Sequence, residues 1–180
     1  MNAGIVPTFL PKFVVMGMAE GFAQTFAYVP GASLDEFIHR LGGSLIYEDK
    51  AVGTHLVVTG SRQFMIRTMR QESALCDYSQ IAIGIGHYFL HSLMGKKKMK
   101  MDCSAQLNQE SAVGGNPKRQ IVLEAHWFAA AFLMPAKKLK AARQTNGDTL
   151  VLAKQFQVTQ EVMRTRLKDL DIAPKTWKPF

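Results

Sequence analysis

The sequence has few cysteines and no long hydrophobic run. Its two cysteines, Cys76 and Cys103, have neither the number nor the spacing of a disulfide framework or a cysteine-based zinc site, which favours a reducing compartment. In the first thirty residues the longest clean apolar run, Phe13 to Ala19, is too short to span a bilayer and is followed at once by Glu20. These absences predict a cytoplasmic protein with no membrane partner.

Acidic residues are scarce as well. The 180 residues include 14 Asp and Glu against 22 Lys and Arg, so the formal net charge is +8 and the pI is near 9.6. The resulting positive field attracts nucleic acid, acidic proteins or anionic lipid without selecting among them. Hydrophobic residues, by contrast, make up 47% of the chain, which is typical of a globular protein, and the length fits one domain with a small helical appendage.

The first half predicts two helices and a small sheet. A short helix around Ala19 to Tyr28 is followed, after a break at Pro30, by a second helix in which Ser33 and Glu36 have the spacing of a capping box. Three short stretches rich in β-branched and aromatic residues come next, which predicts a three-stranded antiparallel sheet. The stretches are Ser44 to Glu48, His55 to Thr59 and Gln63 to Met69.

The second half is predicted to be mostly helical. A helical pattern covers about residues 77–94, an irregular loop that begins with several lysines is expected over 95–117, and an amphipathic helix covers about 119–134. These segments complete a predicted domain over residues 1–145. Residues 146–180 are predicted to add a pair of helices and a tail that pack on the same core.

Two segments carry a resemblance to a known family. Residues 81–91, IAIGIGHYFLH, are similar to the active-site helix of the ImmA/IrrE zinc metallopeptidases, usually A-H-E-L-G-H-Y-x-L-H. Residues 124–135, EAHWFAAAFLMP, are similar to the E-A-N-x-F-A-A-x-L-L-M-P segment of the same family. The resemblance implies an α+β fold, zincin-like and mostly helical. It also implies a regulatory setting, since the family cuts helix-turn-helix repressors in mobile elements and in some stress responses.

Most residues that this resemblance would assign to catalysis are missing. A zinc peptidase of this type needs two histidines four residues apart, with a glutamate beside the first as general base. Here Ile83 stands at the first histidine position and Gly84 at the glutamate position, and only the second histidine remains, as His87. The third ligand position falls at Val122, with His126 at the position of the family's Asn. We therefore expect no catalytic residue, no bound metal and no cofactor.

The remaining site residues leave one alternative open. His87, His91 and His126 would supply the ligands if a metal site had been rebuilt, although the resemblance implies that His91 accompanies the site without binding metal. Glu124 lies two residues from Val122, about 200° around the helix, and is expected to face away. In the inactive interpretation, apolar side chains such as Ile83 and Val122 fill the space of the lost site.

The C-terminal helices suggest a second alternative. Leu150 to Phe156 and Gln160 to Leu170 have the length and tight turn of a helix-turn-helix pair, with Thr159 as a plausible N-cap. The basic side chains of the second helix are candidate nucleic-acid contacts: Arg164, Arg166 and Lys168. The opposing interpretation is that this pair only packs on the core.

The sequence as a whole favours a peptidase-like protein that does not cut. It predicts a regulator that binds a protein partner, most simply a helix-turn-helix repressor of a phage or mobile element, in the manner of an antirepressor. A DNA-binding transcriptional regulator and a metalloenzyme with a remodelled histidine site are the alternatives. No small-molecule substrate is inferred.

Overall fold

The computed structural model describes residues 5–48, 55–60, 62–68, 74–94, 99–102 and 116–172. Within these ranges the chain forms seven α-helices, one π-helical segment and four strands, which confirms the mostly helical α+β class. In chain order the elements are α1 (Lys12–Thr25), α2 (Leu34–Arg40), β1 (Gly43–Tyr47), β2 (His55–Gly60), β3 (Gln63–Thr68), α3 (Ala74–His87), the π-helical segment (Tyr88–Leu93), β4 (Met99–Asp102), α4 (Pro117–Leu133), α5 (Ala136–Thr145), α6 (Thr149–Gln155) and α7 (Gln160–Asp169). None of the described helices is both long enough and apolar enough to cross a membrane.

The sheet differs from the prediction in two respects. It has four strands in the order β1, β3, β2, β4, and β1 runs parallel to β3, so it is mixed and not antiparallel throughout. Strand β3, the second strand of the β2–β3 hairpin, lies between β1 and β2. Strands β1 and β2 are therefore consecutive in the chain but are not neighbours in the sheet. The fourth strand, β4, falls within the predicted loop 95–117 and pairs with β2, with Leu56 opposite Met101. Residues 95–98 and 103–115 of that loop lie outside the described residues.

The core is built around Phe22 of α1. Its ring lies 4.7 Å from Phe89 of the π-helical segment and 5.7 Å from Phe128 of α4, measured between ring centroids. Phe37 of α2 and Phe132 of α4 complete the cluster at about 6 Å. Tilted and edge-on aromatic pairs of this kind each add roughly 0.5–1.5 kcal/mol beyond the burial of their surface. Phe22 thus joins the N-terminal helices to the two segments that carry the family resemblance.

The C-terminal helical pair is confirmed, and so is its predicted cap. Thr159 accepts a hydrogen bond at Oγ1 from N–H of Val162, 3.3 Å away, as an N-cap residue does. Ser33 likewise caps α2 by accepting from N–H of Glu36. The division into domains at residue 145 stays a prediction, and the tail after Ile172 lies outside the described residues.

Ala27, just after α1, predicts a stabilising substitution. Ala27 holds φ at 50°, where its N–H bonds the Gln24 carbonyl and the next N–H, of Tyr28, bonds the Ala23 carbonyl. A Cβ atom disfavours this left-handed conformation, so Ala27→Gly should raise the free energy of unfolding by about 0.5–1 kcal/mol in urea denaturation. As a control, Ala141→Gly at an exposed position inside α5 should lower it by about 1 kcal/mol. A loss of stability in both variants would contradict the prediction.

Candidate functional site: a buried histidine and glutamate chain

Two histidines meet inside the protein. His87 is the last residue of α3 and His91 lies four residues later in the π-helical segment. Their Nδ1 atoms are 3.2 Å apart, within hydrogen-bond distance, and both side chains are buried. Because a polar group away from water is unfavourable unless it is paired, each ring nitrogen needs a partner. The two rings form the first part of a hydrogen-bonded chain.

The chain continues to Glu124 on α4. Nε2–H of His91 donates to Oε2 of Glu124 over 3.0 Å, and the glutamate side chain is fully buried. The expectation that Glu124 faces away from the site is therefore wrong. That expectation assumed that Val122 lies on the face of α4 that is turned toward the histidines. In the structure α4 contacts α3 at Ala125, whose carbonyl oxygen would lie 3.0 Å from a Cβ atom at Gly86. The signal available in the sequence was that Glu124 is itself part of the second motif, because the corresponding family segment also begins with Glu-Ala.

The segment before α1, residues 5–11, covers the carboxylate. N–H of Thr8 donates to Oε2 of Glu124 over 2.9 Å, and N–H of Phe9 donates to Oε1 over 2.8 Å. Phe9 holds φ at 55°, a conformation that residues other than glycine rarely adopt. Nε2 of Gln120 adds a bond of 3.0 Å to Oε1, so the carboxylate accepts four hydrogen bonds. Sequence reasoning missed this segment, because nothing in it signals a carboxylate 116 residues away.

These hydrogen bonds determine where the protons lie. A carboxylate only accepts, so Nε2 of neutral His91 carries the proton, and its Nδ1 is left to accept from Nδ1–H of His87. Nε2 of His87 is then an acceptor, and it is buried without a hydrogen-bond partner in the described structure. The hydrogen-bonded chain of His87, His91 and Glu124 therefore holds one negative charge, on Glu124.

Burial keeps the histidines neutral. It is the main cause that lowers the pKa of His87 to about 3, followed by repulsion from His91 and His126. Burial also lowers the pKa of His91, against the opposite effect of Glu124, and it lowers the pKa of His126. For Glu124 burial acts to raise the pKa, but the hydrogen bonds that it accepts outweigh burial and hold that pKa below its ordinary value.

Apolar packing occupies the positions that the resemblance assigns to catalysis. Ile83 is buried in the main core, and Val122 is buried too, although outside that core cluster. Gly84 lies against β3: a Cβ atom there would be 3.1 Å from Cδ1 of Ile66, so a larger side chain would displace its neighbour. No carboxylate stands where the resemblance places the general base.

The side chains present do not fit a zinc ion. A catalytic site of this kind needs three protein ligands and an open position for water. Nε2 of His87 has no partner, but Nε2 of His91 and both oxygens of Glu124 are engaged with each other or with neighbouring donors. No three His, Cys, Asp or Glu side chains among the described residues are arranged to hold a metal ion. A site rebuilt from His87, His91 and His126 has no support from this geometry.

The candidate nucleic-acid residues of α7 separate into two groups. Arg164 and Lys168 are exposed, whereas Arg166 is buried and cannot reach a nucleic acid, so that part of the prediction is wrong. Arg166 donates to the Met134 carbonyl oxygen over 3.2 Å and to Oε1 of Glu20 over 2.5 Å. The guanidinium therefore joins α7 to the end of α4 and to α1, and its role is structural.

Arg166→Met should lower the free energy of unfolding by about 2–3 kcal/mol. The variant leaves the Met134 carbonyl without its donor, and it leaves Glu20 unpaired, although Glu20 is partly exposed and regains water. Arg164→Met on the exposed side of the same helix is the matched control and should change stability by less than about 0.5 kcal/mol. Equal effects in urea denaturation would contradict the structural role of Arg166.

A family model now identifies the fold. The model of the IrrE N-terminal-like domain of the peptidase M78 family matches residues 65–168, more than half of the chain and the part that holds α3, α4 and the buried chain between them. The protein belongs to this family. The resemblance to ImmA/IrrE peptidases is thus confirmed at the level of the family, and the zincin-like fold agrees with it.

A solved structure agrees with this fold. A transcriptional regulator of Mycobacterium tuberculosis matches with a TM-score of 0.59 and 20% sequence identity, over 87% of this chain and 46% of the regulator. At this identity the likeness shows the fold alone, and the chain spans less than half the length of the regulator. The comparison with curated proteins finds no match.

Proposed function

We propose that this M78-family domain is catalytically inactive and regulates by binding a protein, with a helix-turn-helix repressor of a phage or mobile element as the partner class. The observation that carries the proposal is Gly84, packed against Ile66 at the position that the resemblance assigns to the general base. Hydrolysis of a peptide bond needs an activated water molecule, and glycine can neither bind zinc nor take a proton from water.

The buried hydrogen-bonded chain of His87, His91 and Glu124 supports the same conclusion. Glu124 is a carboxylate near the motif histidines, but it is closed off by backbone donors of the N-terminal segment and by His91. A general base must reach the proton that it removes, and a carboxylate that already accepts four hydrogen bonds has no free lone pair directed at substrate. His87 is held neutral with its Nδ1 donating to His91. The site stabilises the fold and has no group poised for catalysis.

Apolar side chains on the N-terminal segment and α1 support protein binding. Val6, Phe9 and Phe13 expose 56%, 64% and 77% of their surface and lie within eight residues of one another in the sequence, and the backbone N–H of Phe9 bonds the covered carboxylate. Exposed aromatic side chains that group together are a feature of protein interfaces, where they supply much of the binding energy. We place the partner surface here.

The inactivity is tested by metal content and by cleavage together. Protein purified without a histidine tag or chelator should contain far less than one zinc per chain by elemental analysis, and addition of zinc should produce no cleavage of repressor-like substrates. The double variant Ile83→His, Gly84→Glu serves as a comparison that restores the motif, at the expense of packing against Ile66. Stoichiometric zinc with chelator-sensitive cleavage by the unaltered protein would overturn the proposal.

The binding surface is tested by crosslinking in cells followed by reconstitution. A partner that acts here should crosslink to the unaltered protein, be lost with Phe9→Ser, Phe13→Ser, and be retained with Val29→Ser, Val151→Ser, which removes two exposed apolar side chains elsewhere. The partner is then purified, and it should bind directly and keep its intact mass after incubation. Equal loss in both double variants would place the surface elsewhere, and a cleaved partner would contradict inactivity.

A further inference from the structure

A second concave site lies among the C-terminal helices, apart from the buried histidines. It has a volume of about 460 Å³, within the range of small-molecule sites, and it is lined by the end of α5, the start of α6 and the exposed face of α7. Three basic side chains line it: Arg143, Arg164 and Lys168. Among the described residues, Asp171 is the one acidic side chain in the lining. The site therefore carries an excess of two positive charges.

These charges are not neutralised within the described part of the protein. None of the three basic side chains forms an ion pair there. Ion pairs do occur elsewhere, for example between Lys12 of α1 and Asp169 of α7. Like charges that converge on one concavity repel each other, and the repulsion is relieved when an anion binds between them. The arrangement is complementary to an anionic ligand.

Arg143 gives the strongest indication. Its side chain is only 5% exposed, and its guanidinium donates to the Gly147 carbonyl oxygen, but its Nε is buried without a partner in the described structure. A buried arginine without a carboxylate is unfavourable, because its charge has left water and gained one neutral acceptor in return. Arg143 also lines the cavity, so its positive charge lies beside the position that an anion would occupy there.

The apolar part of the lining is held in place by the end of α7. Asp171 holds φ at 52°, its N–H bonds the Lys168 carbonyl, and N–H of Ile172 bonds the Leu167 carbonyl over 2.9 Å. This pair of bonds is a Schellman motif, which brings Ile172 back beside Leu167. Both side chains line the cavity, so an apolar surface lies next to the cations before any ligand arrives.

We propose that this cavity binds a phosphate monoester of a small organic molecule. The phosphate dianion accepts hydrogen bonds from Arg143, Arg164 and Lys168, the Thr149 hydroxyl is a further donor in the lining, and the organic group lies against the apolar side of the cavity. The site is independent of the proposed loss of peptidase activity. It would make the regulator responsive to a small ligand.

The test uses phenyl phosphate, inorganic phosphate and phenol as probes, followed by calorimetry and by amide chemical shifts. Phenyl phosphate should bind saturably with a dissociation constant below about 1 mM, inorganic phosphate should bind more weakly, and phenol should not bind. The changes in amide chemical shift should be confined to residues around the cavity. Arg164→Gln, Lys168→Gln alters only exposed side chains and should weaken phenyl phosphate about tenfold or more. Asp171→Asn should tighten it.

Lys137→Gln, Lys140→Gln is the matched control, because it removes two exposed positive charges from α5 outside the cavity. It should leave phenyl phosphate binding unchanged. Equal weakening in both double variants would mean attraction by net charge alone and would overturn the proposal. So would the absence of saturable binding, or binding of a DNA duplex that depends on Arg164 and Lys168 while phenyl phosphate does not bind.

Discussion

Glu124→Ala should lower the free energy of unfolding by about 4 kcal/mol. The substitution removes a buried carboxylate that accepts hydrogen bonds from Thr8, Phe9, His91 and Gln120. It leaves the buried His91 imidazole and two partly buried backbone N–H groups without their acceptor, and each such loss costs on the order of 1–3 kcal/mol, least for the groups that regain water. Urea denaturation at neutral pH measures the change. Amide hydrogen exchange at Thr8 and Phe9 should accelerate even under conditions where the variant stays folded.

Two comparisons separate the hydrogen bonds from general effects of losing a glutamate. Glu161→Ala, at an exposed position of α7, should change stability by less than about 1 kcal/mol. Glu124→Gln should fall between the two, because the amide keeps one acceptor oxygen but turns an NH₂ group toward a donor. A loss below about 1 kcal/mol for Glu124→Ala would mean that water replaces the carboxylate, and the N-terminal segment would not be held as described.

Stability should fall steeply in mild acid. The pKa of His87 is about 3 in the folded protein against 6.5 ordinarily, so the unfolded chain binds a proton first as the pH drops. The stabilisation is fully present above about pH 6.5 and is lost progressively toward pH 3, a loss on the order of 4 kcal/mol at pH 3.5. Glu124 acts in the same direction, since a carboxyl whose pKa is lowered loses its contribution as pH falls.

The pH dependence can be assigned by substitution. The urea midpoint should depend less steeply on pH between pH 7 and pH 4 in His87→Gln, even though that variant is less stable at pH 7, because one of the groups that take up a proton on unfolding is gone. His91, His126 and Glu124, whose pKa values are also lowered, should maintain the remaining slope. His39→Gln, at an exposed histidine of α2, should keep the slope of the unaltered protein. An unchanged slope in His87→Gln would show that acid acts elsewhere in the chain.

Local features of the fold follow from the sequence, and distant ones do not. Ser33 and Thr159 each accept a hydrogen bond from an N–H only three residues further along the chain, and both act as N-caps as the sequence predicts. The parallel pairing of β1 with β3 depends instead on where a hairpin inserts, which no local pattern encodes. The π-helical turns after His87 are another example, because no residue of Tyr88–Leu93 marks the change from α-helical geometry that sets the direction of His91.

The site shows the same division. The loss of chemistry at Ile83 and Gly84 is visible in the motif, since residue type alone excludes zinc binding and proton transfer. The direction of Glu124 is not visible, because it depends on the line along which α4 meets α3. Arg166 is the opposite case: a basic residue on a short helix is usually solvated, and only partners 32 and 146 residues away in sequence place it in the interior.

The bond between the N-terminal segment and Glu124 also sets an order of events during synthesis. Thr8 and Phe9 are synthesised 116 and 115 residues before their acceptor. At ordinary elongation rates that interval is about 6 to 23 seconds, during which the segment has no carboxylate to bind. The N–H groups of Thr8 and Phe9 therefore stay without this acceptor until α4 has been made, and the segment over residues 5–11 is among the last parts of the fold to reach its native position.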